Sequence, residues 1–113
     1  RDVYLDRLRN AVNIYVPLVG STTKSSLPLM PGSHLMPESH LVRTSDGSQV
    51  NGIEYTVPCI VDVVGRKFEM TRPNPQPGEF LLFSPYLIHG GAVNRNADTT
   101  RISLEMRFWR CAP

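Results

Sequence analysis

The sequence predicts an all-β domain, and three observations support this fold class. Ten prolines and eight glycines divide the 113 residues into short segments. None of the segments between them has the length and pattern of a convincing amphipathic helix. Residues 101–108 alternate between polar and apolar side chains, which is the period of a β-strand. The remaining apolar runs are short and lie between turn residues. About seven short strands separated by turns suit a sandwich or a barrel.

The first half of the chain supplies two predicted strands and a loop. The strand 11–17 places Asn13 and Tyr15 on one face, because side chains alternate along a strand. The strand 27–30 ends at a Pro-Gly pair, which supplies the backbone angles of a tight turn. The polar stretch 39–52 is predicted to be the most mobile loop of the chain.

The second half supplies five more predicted strands. The first of them contains the apolar run 59–64, and the third contains the apolar run 80–83. A turn-rich bridge, TRPNPQPG, separates the first two from the rest. The five strands are 55–64, 66–70, 79–83, 88–90 and 101–108.

The last predicted strand has one polar and one apolar face. The polar residues are Arg101, Ser103, Glu105 and Arg107, and the apolar residues are Ile102, Leu104, Met106 and Phe108. A sheet that encloses a reactive site has such a polar inner wall, but a half-exposed strand whose polar side meets water has the same pattern. We expect Glu105 and Arg107 to pair with each other and to have no catalytic role.

Composition argues against several classes of function. The net charge is +2, with basic and acidic residues scattered along the chain, so no basic stripe predicts binding to nucleic acid. The longest apolar runs are far too short to span a membrane. Cys59 and Cys111 lack the spacing of a zinc site and are too few for a disulfide framework. We therefore expect free thiols and a reducing, cytoplasmic location.

Three segments carry a resemblance to a known family. They are 13–18 with the later tetrad 31–34 (PGSH), the run 77–83, and 89–91 (HGG) leading to 101–103 (RIS). By their order and spacing the chain resembles the Fe(II)/2-oxoglutarate-dependent oxygenases, most closely the phytanoyl-CoA dioxygenase-like branch, over most of its length. The resemblance implies a single domain, 1–113, folded as a double-stranded β-helix (a jelly roll, or cupin-like barrel). The sequence lacks the family's usual N-terminal helices, which implies a fragment of a longer protein.

The resemblance also implies an Fe(II) site. The family holds iron with a His-x-Asp pair and a distal histidine, which leaves three positions open for the 2-oxo acid and dioxygen. Asp2 is the matching carboxylate and His89 the matching imidazole, and a histidine directly before Arg1 would complete the first pair. A solvated terminal acid is the competing interpretation of Asp2. His34 lies in a tight turn and His40 in a polar loop, so neither is expected to bind iron.

A 2-oxoglutarate site is implied by the same resemblance. Arg101 matches the family's carboxylate clamp, since a guanidinium offers two parallel donors to a carboxylate. Ser103 would add a hydroxyl donor on the same face, and Asn13 and Tyr15 are expected to line the same pocket. The implied reaction is hydroxylation of a small molecule, coupled to decarboxylation of 2-oxoglutarate to succinate. The identity of the substrate stays open.

Two other function classes also stay open. A cupin-like binding or structural module would keep the barrel but catalyse no oxidation, and the absence of a histidine directly before Arg1 would favour it. A metal-dependent sugar isomerase or epimerase would need a second histidine near the first ligand or a His/Tyr acid–base pair, and the sequence offers no clear candidate. The apolar face of 101–108 has no cover within this chain, so we expect a missing segment or self-association into a homo-oligomer.

Overall fold

A computed structural model describes residues 1–3, 5–45, 49–50, 52–54, 56–91 and 93–111. Within these residues the chain forms strands and short 3-10 helices but no α-helix, so the prediction of an all-β chain is confirmed. The strands are β1 (Ala11–Val19), β2 (Leu41–Arg43), β3 (Gln49–Val50), β4 (Ile53–Glu54), β5 (Ile60–Val63), β6 (Leu81–Phe83) and β7 (Ile102–Trp109). The 3-10 helices are Asp6–Leu8, Ser33–Leu35 and Glu38–His40.

β1 is the central strand of an antiparallel sheet, the main sheet, with β6 on one side and β7 on the other. Asn13 lies opposite Phe83 of β6 and Arg107 of β7. The register with β7 shifts between Pro17 and Val19, because proline has no N–H to donate to the ladder. Residues that lie opposite each other share a face of the sheet. Asn13 and Arg107 therefore project from the same side of the main sheet.

The apolar core lies beside the two-stranded sheet formed by β2 and β5, while β3 and β4 pair separately. Met30, Val63 and Ile88 are buried in one cluster. Partly buried apolar side chains surround this cluster, namely Met36, Leu41, Ile60, Phe68 and Met70. This core supports the segment that carries His89, the residue next to Ile88 in the chain.

Two of the predicted strands are reduced to isolated bridges. In 27–30 and 88–90 the bridged residues are Leu29 and His89, which pair with each other, and Leu29 also pairs with Thr71. Pro28 lies within the first segment and Pro31 directly follows it, and without N–H groups these prolines cannot extend the ladder. The bridge nevertheless fixes the backbone of His89 against a buried segment.

The prediction of a strand at 66–70 is wrong, because this segment has no strand partner in the described structure. Phe68 and Met70 both pack against the core cluster, and a charged residue precedes each of them in the sequence. The alternation therefore reflects burial of every second side chain without β-pairing. Local periodicity cannot distinguish these two situations.

The prediction of a loop over 39–52 is wrong at its start, where a 3-10 helix ends at His40 and β2 pairs with β5, and near its end, where β3 pairs with β4. A strand of three residues is too short to produce a periodic pattern, and its partner is distant in the sequence. Positions 46–48 and 51 lie outside the described residues. So does Tyr55, the first residue of the predicted strand 55–64, of which the structure forms Ile60–Val63 as β5.

The outer face of the main sheet is apolar and exposed to solvent. Leu104 is 48% exposed, Phe108 51% and Leu82 63%. Further exposed side chains of this sheet are Val12, Ile102, Met106 and Trp109. Within the described residues nothing covers this face, as the sequence led us to expect. None of the described helices has the length and apolar character that a membrane crossing requires.

Candidate functional site

The structure brings Asp2 and His89 together against the inner face of the main sheet. The Oδ2 atom of Asp2 lies 3.2 Å from Nε2 of His89, and both side chains are largely buried, at 15% and 12% exposure. The other ring nitrogen of His89, Nδ1, lies 2.8 Å from the carbonyl oxygen of Leu87. The edge of the imidazole meets the ring of Phe83 at a centroid distance of 4.8 Å. Two residues from opposite ends of the chain thus form one compact pair.

Asp2 is held in place by the residue before it. The Arg1 side chain is 1% exposed, and its guanidinium donates to the carbonyl oxygens of Ser33 and Met36 at 2.6 Å each. It also donates to the carboxylate of Glu38 at 2.8 Å. The backbone N–H of Asp2 donates to the carbonyl oxygen of Pro85 at 2.8 Å. The side chain of Arg1 and the backbone N–H of Asp2 therefore both anchor this segment. The competing interpretation of Asp2, as a solvated terminal acid, does not fit this environment.

The carboxylate of Asp2 receives two further hydrogen bonds from the main sheet. Asn13 donates through Nδ2 to Oδ2 at 2.7 Å, and Arg107 donates to the same oxygen at 3.0 Å. Burial by itself raises the pKa of Asp2, but the hydrogen bond from His89, with the charge this ring has when protonated, and the hydrogen bond and charge of Arg107 outweigh it. Together they hold the pKa of this carboxyl well below its usual range. Asp2 is an anion at neutral pH.

The contacts of His89 define what this pair can bind. A carbonyl oxygen can only accept a hydrogen bond, so Nδ1 of His89 carries the hydrogen that Leu87 receives. Nε2 then directs either a lone pair or a second hydrogen at Asp2. A lone pair beside an anionic oxygen requires a cation between them, whereas a second hydrogen makes a charged imidazolium paired with Asp2. The site thus holds either a proton or a metal ion.

The distance within the pair suits two ligands of one metal ion. Two donors that each lie about 2.1 Å from an ion, at a right angle to each other, are separated by about 3.0 Å. The observed separation of 3.2 Å is close to this value. Within the described part of the chain, no group of three His, Cys, Asp or Glu side chains could hold a metal. Asp2 and His89 are thus a pair of candidate metal donors at a suitable separation.

A cavity of about 1020 Å³ opens beside this pair. Asp2, His89 and Arg107 line it together with the basic residues Arg72 and Arg95. The lining also includes apolar residues, among them Val57, Ile60, Phe68 and Met70. The volume is sufficient for a small organic ligand. Asp2 and His89 are therefore accessible to a ligand that enters this cavity.

The residues predicted to bind 2-oxoglutarate lie on the inner side of the main sheet, outside the lining of this cavity. The Arg101 guanidinium donates to the carbonyl oxygen of Ser25 at 2.9 Å and stacks 5.9 Å above the ring of Tyr15. Tyr15 is fully buried, and its hydroxyl lies 3.1 Å from Oγ of Ser21. Ser103 is half-buried on β7. Arg101 and Tyr15 form one contact group, separate from Asp2 and His89.

Two residues of the site have contacts that sequence reasoning did not identify. Asn13, expected to line the pocket as a support for a metal ligand or as a cosubstrate contact, donates to Asp2. Arg107, expected to pair with Glu105, pairs with Asp2. Both roles follow from the β1–β7 register, which places Arg107 opposite Asn13. The strand pattern identified the shared face but gave no indication of the carboxylate beside it.

The role of the PGSH tetrad is also clear only in the structure. Ser33 is fully buried, and its Oγ accepts a hydrogen bond from the backbone N–H of Ile88 at 2.8 Å. The tetrad therefore positions the segment that leads into His89. His34 and His40 are both exposed and lie outside the cavity lining.

No protein-family profile, curated protein or solved structure matches this chain.

Proposed function

We propose that this chain contains the catalytic region of an Fe(II)- and 2-oxoglutarate-dependent oxygenase that hydroxylates a small molecule. The observation that carries the proposal is the buried pair formed by Asp2 and His89, with Oδ2 and Nε2 separated by 3.2 Å. Oδ2 and Nε2 face each other, and Nδ1 of His89 contacts the carbonyl oxygen of Leu87. Such a pair supplies the carboxylate and the distal imidazole of a facial triad.

A jelly roll is the fold that we propose for the whole domain. Three antiparallel strands place the early strand β1 between the late strands β6 and β7, and this order supports that assignment. Connections of this kind bring the first residues of the chain next to a late histidine, as the metal site requires. The polar inner face of β7 and β1 forms the wall behind it.

Iron, when bound, would supply the oxidising chemistry, and the protein's residues would position it. Asp2 and His89 would be two of its ligands, and the residue before Arg1 is where the resemblance expects the third. The hydrogen bonds from Asn13 and Arg107 hold the Asp2 carboxylate in one orientation, and partners of this kind strengthen metal binding.

We assign the clamp for the distal carboxylate of 2-oxoglutarate to Arg101, with Ser103 beside it, on the resemblance alone, because neither residue lines the cavity beside the Asp2–His89 pair. No carboxylate of the described residues forms an ion pair with Arg101. Its guanidinium therefore keeps its charge uncompensated for an incoming acid, and one hydrogen bond to Ser25 fixes its direction. Tyr15 supports the guanidinium from below through its ring.

Succinate production tests this proposal. The chain in its natural sequence context, incubated with Fe(II), 2-oxoglutarate and oxygen, is expected to release succinate. Asp2→Asn and His89→Gln should abolish the release, because each removes one proposed ligand. His40→Gln is the matched control, since His40 is exposed and outside the cavity. Release that is unaffected by His89→Gln would exclude the proposed site.

A binding module without oxidation is the second candidate. It is favoured because the described residues contain no group of three His, Cys, Asp or Glu side chains that could hold a metal ion. Calorimetry with 2-oxoglutarate, run beside the succinate assay, separates the two candidates. Binding of 2-oxoglutarate without any release of succinate would favour the binding module. A sugar isomerase is not favoured, because the two other histidines, His34 and His40, do not line the cavity.

A further inference from the structure

One side of the cavity carries an excess of positive charge. Lys24, Arg72 and Arg95, here called the basic cluster, all line it. None of the three forms an ion pair with a carboxylate of the described residues. Basic side chains that line a cavity without acidic partners attract anions.

The other basic residues of the cavity differ in this respect. Arg1 and Arg43 both contact the carboxylate of Glu38 at 2.8 Å, and Arg107 contacts Asp2 at 3.0 Å. Each of these three guanidiniums therefore has a carboxylate partner, which Arg1 and Arg43 share. Among the described residues, the basic side chains of the cavity without a carboxylate partner are those of the basic cluster, on the side of the cavity formed by the segment around residue 24.

The basic cluster is held by backbone contacts. Arg72 donates through NH1 to the carbonyl oxygen of Lys24, and through NH2 to that of Val93 at 3.0 Å. The backbone N–H of Arg95 donates to the same Lys24 carbonyl oxygen at 3.0 Å. The side chain of Arg95 is exposed and forms no hydrogen bond or ion pair with a described residue. Arg72 is thus a fixed donor, and Arg95 is free to close on a ligand.

Holding these cations together costs free energy in the absence of an anion. Burial lowers the pKa of the Arg72 guanidinium, and the neighbouring positive charges of Arg95 and Arg101 lower it further. Repulsion of this kind is relieved when an anion binds between the like charges. Arginine is suited to that role because its planar donors match the oxygens of carboxylates and phosphates.

We propose that the basic cluster is a second anion site, which binds an acidic group of the ligand that occupies the cavity. The cluster and the Asp2–His89 pair line the same cavity, so one small molecule can contact both. A carboxylate and a phosphate share the required chemistry, namely oxygen acceptors and negative charge. The site itself does not depend on iron, and only the identification of its ligand as the substrate rests on the proposed function.

Titration with small anions tests the site. The protein is titrated with inorganic phosphate, and separately with acetate, in a chelator-containing buffer of low ionic strength, while NMR follows the amide signals of Gly90, Gly91 and Arg95. Arg95→Gln should weaken saturable binding about tenfold, as expected when a charge-assisted hydrogen bond is lost. Arg110→Gln is the matched control, since Arg110 is also exposed but lies outside the cavity.

Each outcome decides the question. Saturable binding of either anion that is weakened by Arg95→Gln, and not by Arg110→Gln, supports the site, and the tighter anion identifies the acidic group. Equal behaviour of both variants and the parent protein, or shifts that never saturate, would overturn it. Because no metal is present in this experiment, a failure of the iron chemistry leaves its result unchanged.

Discussion

Asn13 and Asp2 are joined by a hydrogen bond of 2.7 Å from the amide nitrogen to the carboxylate oxygen Oδ2. Asn13 is only 3% exposed and is fixed by its pairing with both neighbouring strands of the main sheet. Its position therefore transmits the geometry of the sheet to a residue near the start of the chain. In the proposed metal site, a buried donor of this kind would orient the Asp2 carboxylate.

Asn13→Ala is expected to weaken the binding of Mn(II), used as a redox-stable substitute for Fe(II), about tenfold. The physical reason is that the Asp2 carboxylate loses its shortest contact and gains rotational freedom. Electron paramagnetic resonance of free Mn(II) during a titration measures the affinity. Asn74→Ala, at an exposed loop position, should bind Mn(II) like the parent protein. An unchanged affinity in Asn13→Ala would mean that Asn13 does not position a ligand.

Glu38→Gln is expected to remove part of the pH dependence of stability. Burial raises the pKa of Glu38, but the hydrogen bonds and charges of Arg43 and Arg1 outweigh it, so the pKa in the folded state lies below the ordinary value of 4.5. A group with a lowered pKa stabilises the fold above that ordinary value, and the contribution disappears as the pH falls through the folded-state pKa.

The free energy of unfolding, measured by urea denaturation between pH 7 and pH 3, checks this expectation. At pH 7 the loss in Glu38→Gln should be about 1 kcal/mol or less, because the carboxylate is half exposed and its ion pairs are screened. The difference from the parent protein should shrink below pH 4.5. Glu69→Gln, which removes an exposed pair with Lys67 at 3.7 Å, is the control. A difference that is constant with pH would contradict the role of Glu38.

Gly20→Ala is expected to destabilise the fold by roughly 2 kcal/mol or more. Gly20 has a φ of +70°, and a Cβ atom there would overlap the carbonyl oxygen of Thr100 and lie 2.9 Å from its carbonyl carbon. Gly78→Ala is the matched control, because Gly78 has a φ of +88° with no atom within 4 Å of the added Cβ. It should cost only about 1 to 2 kcal/mol.

Thermal or urea denaturation of the two glycine variants separates the strain from the overlap. The difference in the free energy of unfolding between Gly20→Ala and Gly78→Ala measures how closely Gly20, at the end of β1, approaches Thr100. Equal stabilities of Gly20→Ala and Gly78→Ala would mean that this close approach does not exist. The placement of Arg101 against Ser25 and Tyr15 would then also need revision.

Leu104→Lys is expected to reduce self-association of the chain. The outer face of the main sheet exposes a row of apolar side chains, with Leu104 near its centre, and a face of this kind associates with a second copy when nothing else covers it. Sedimentation velocity over a range of concentrations measures the association. Leu35→Lys is the control, since Leu35 is 80% exposed in a 3-10 helix outside this face. A parent chain that stays monomeric at every concentration would contradict the expectation.

The sequence alone was sufficient for the features that depend on local pattern. The alternation in 101–108 identified both faces of β7, and proline and glycine density indicated the absence of long helices. The alternation in 66–70 misled, because Phe68 and Met70 are buried by packing against the core without a partner strand. Whether a strand pairs depends on a distant segment, and no local pattern contains that information.

The candidate site could be predicted only in part. The resemblance to a known family nominated Asp2 and His89, and the structure brings these two together. The roles of Arg107 and Asn13 depend on the register between β1 and β7, which a single sequence does not determine. The basic cluster joins residues from three separate segments of the chain, so its existence follows only from the tertiary structure.

The most direct measurement of the central proposal is the state of the His89 ring. Imidazole nitrogen and carbon NMR signals of the three histidines, recorded during a titration with Mn(II), show which ring contacts the metal. The His89 signals should broaden selectively at substoichiometric Mn(II), while those of His34 and His40 persist, and Asp2→Asn should abolish the selectivity. A His89 ring that carries hydrogens on both nitrogens, bonded to Asp2 and unaffected by Mn(II), would contradict the metal site.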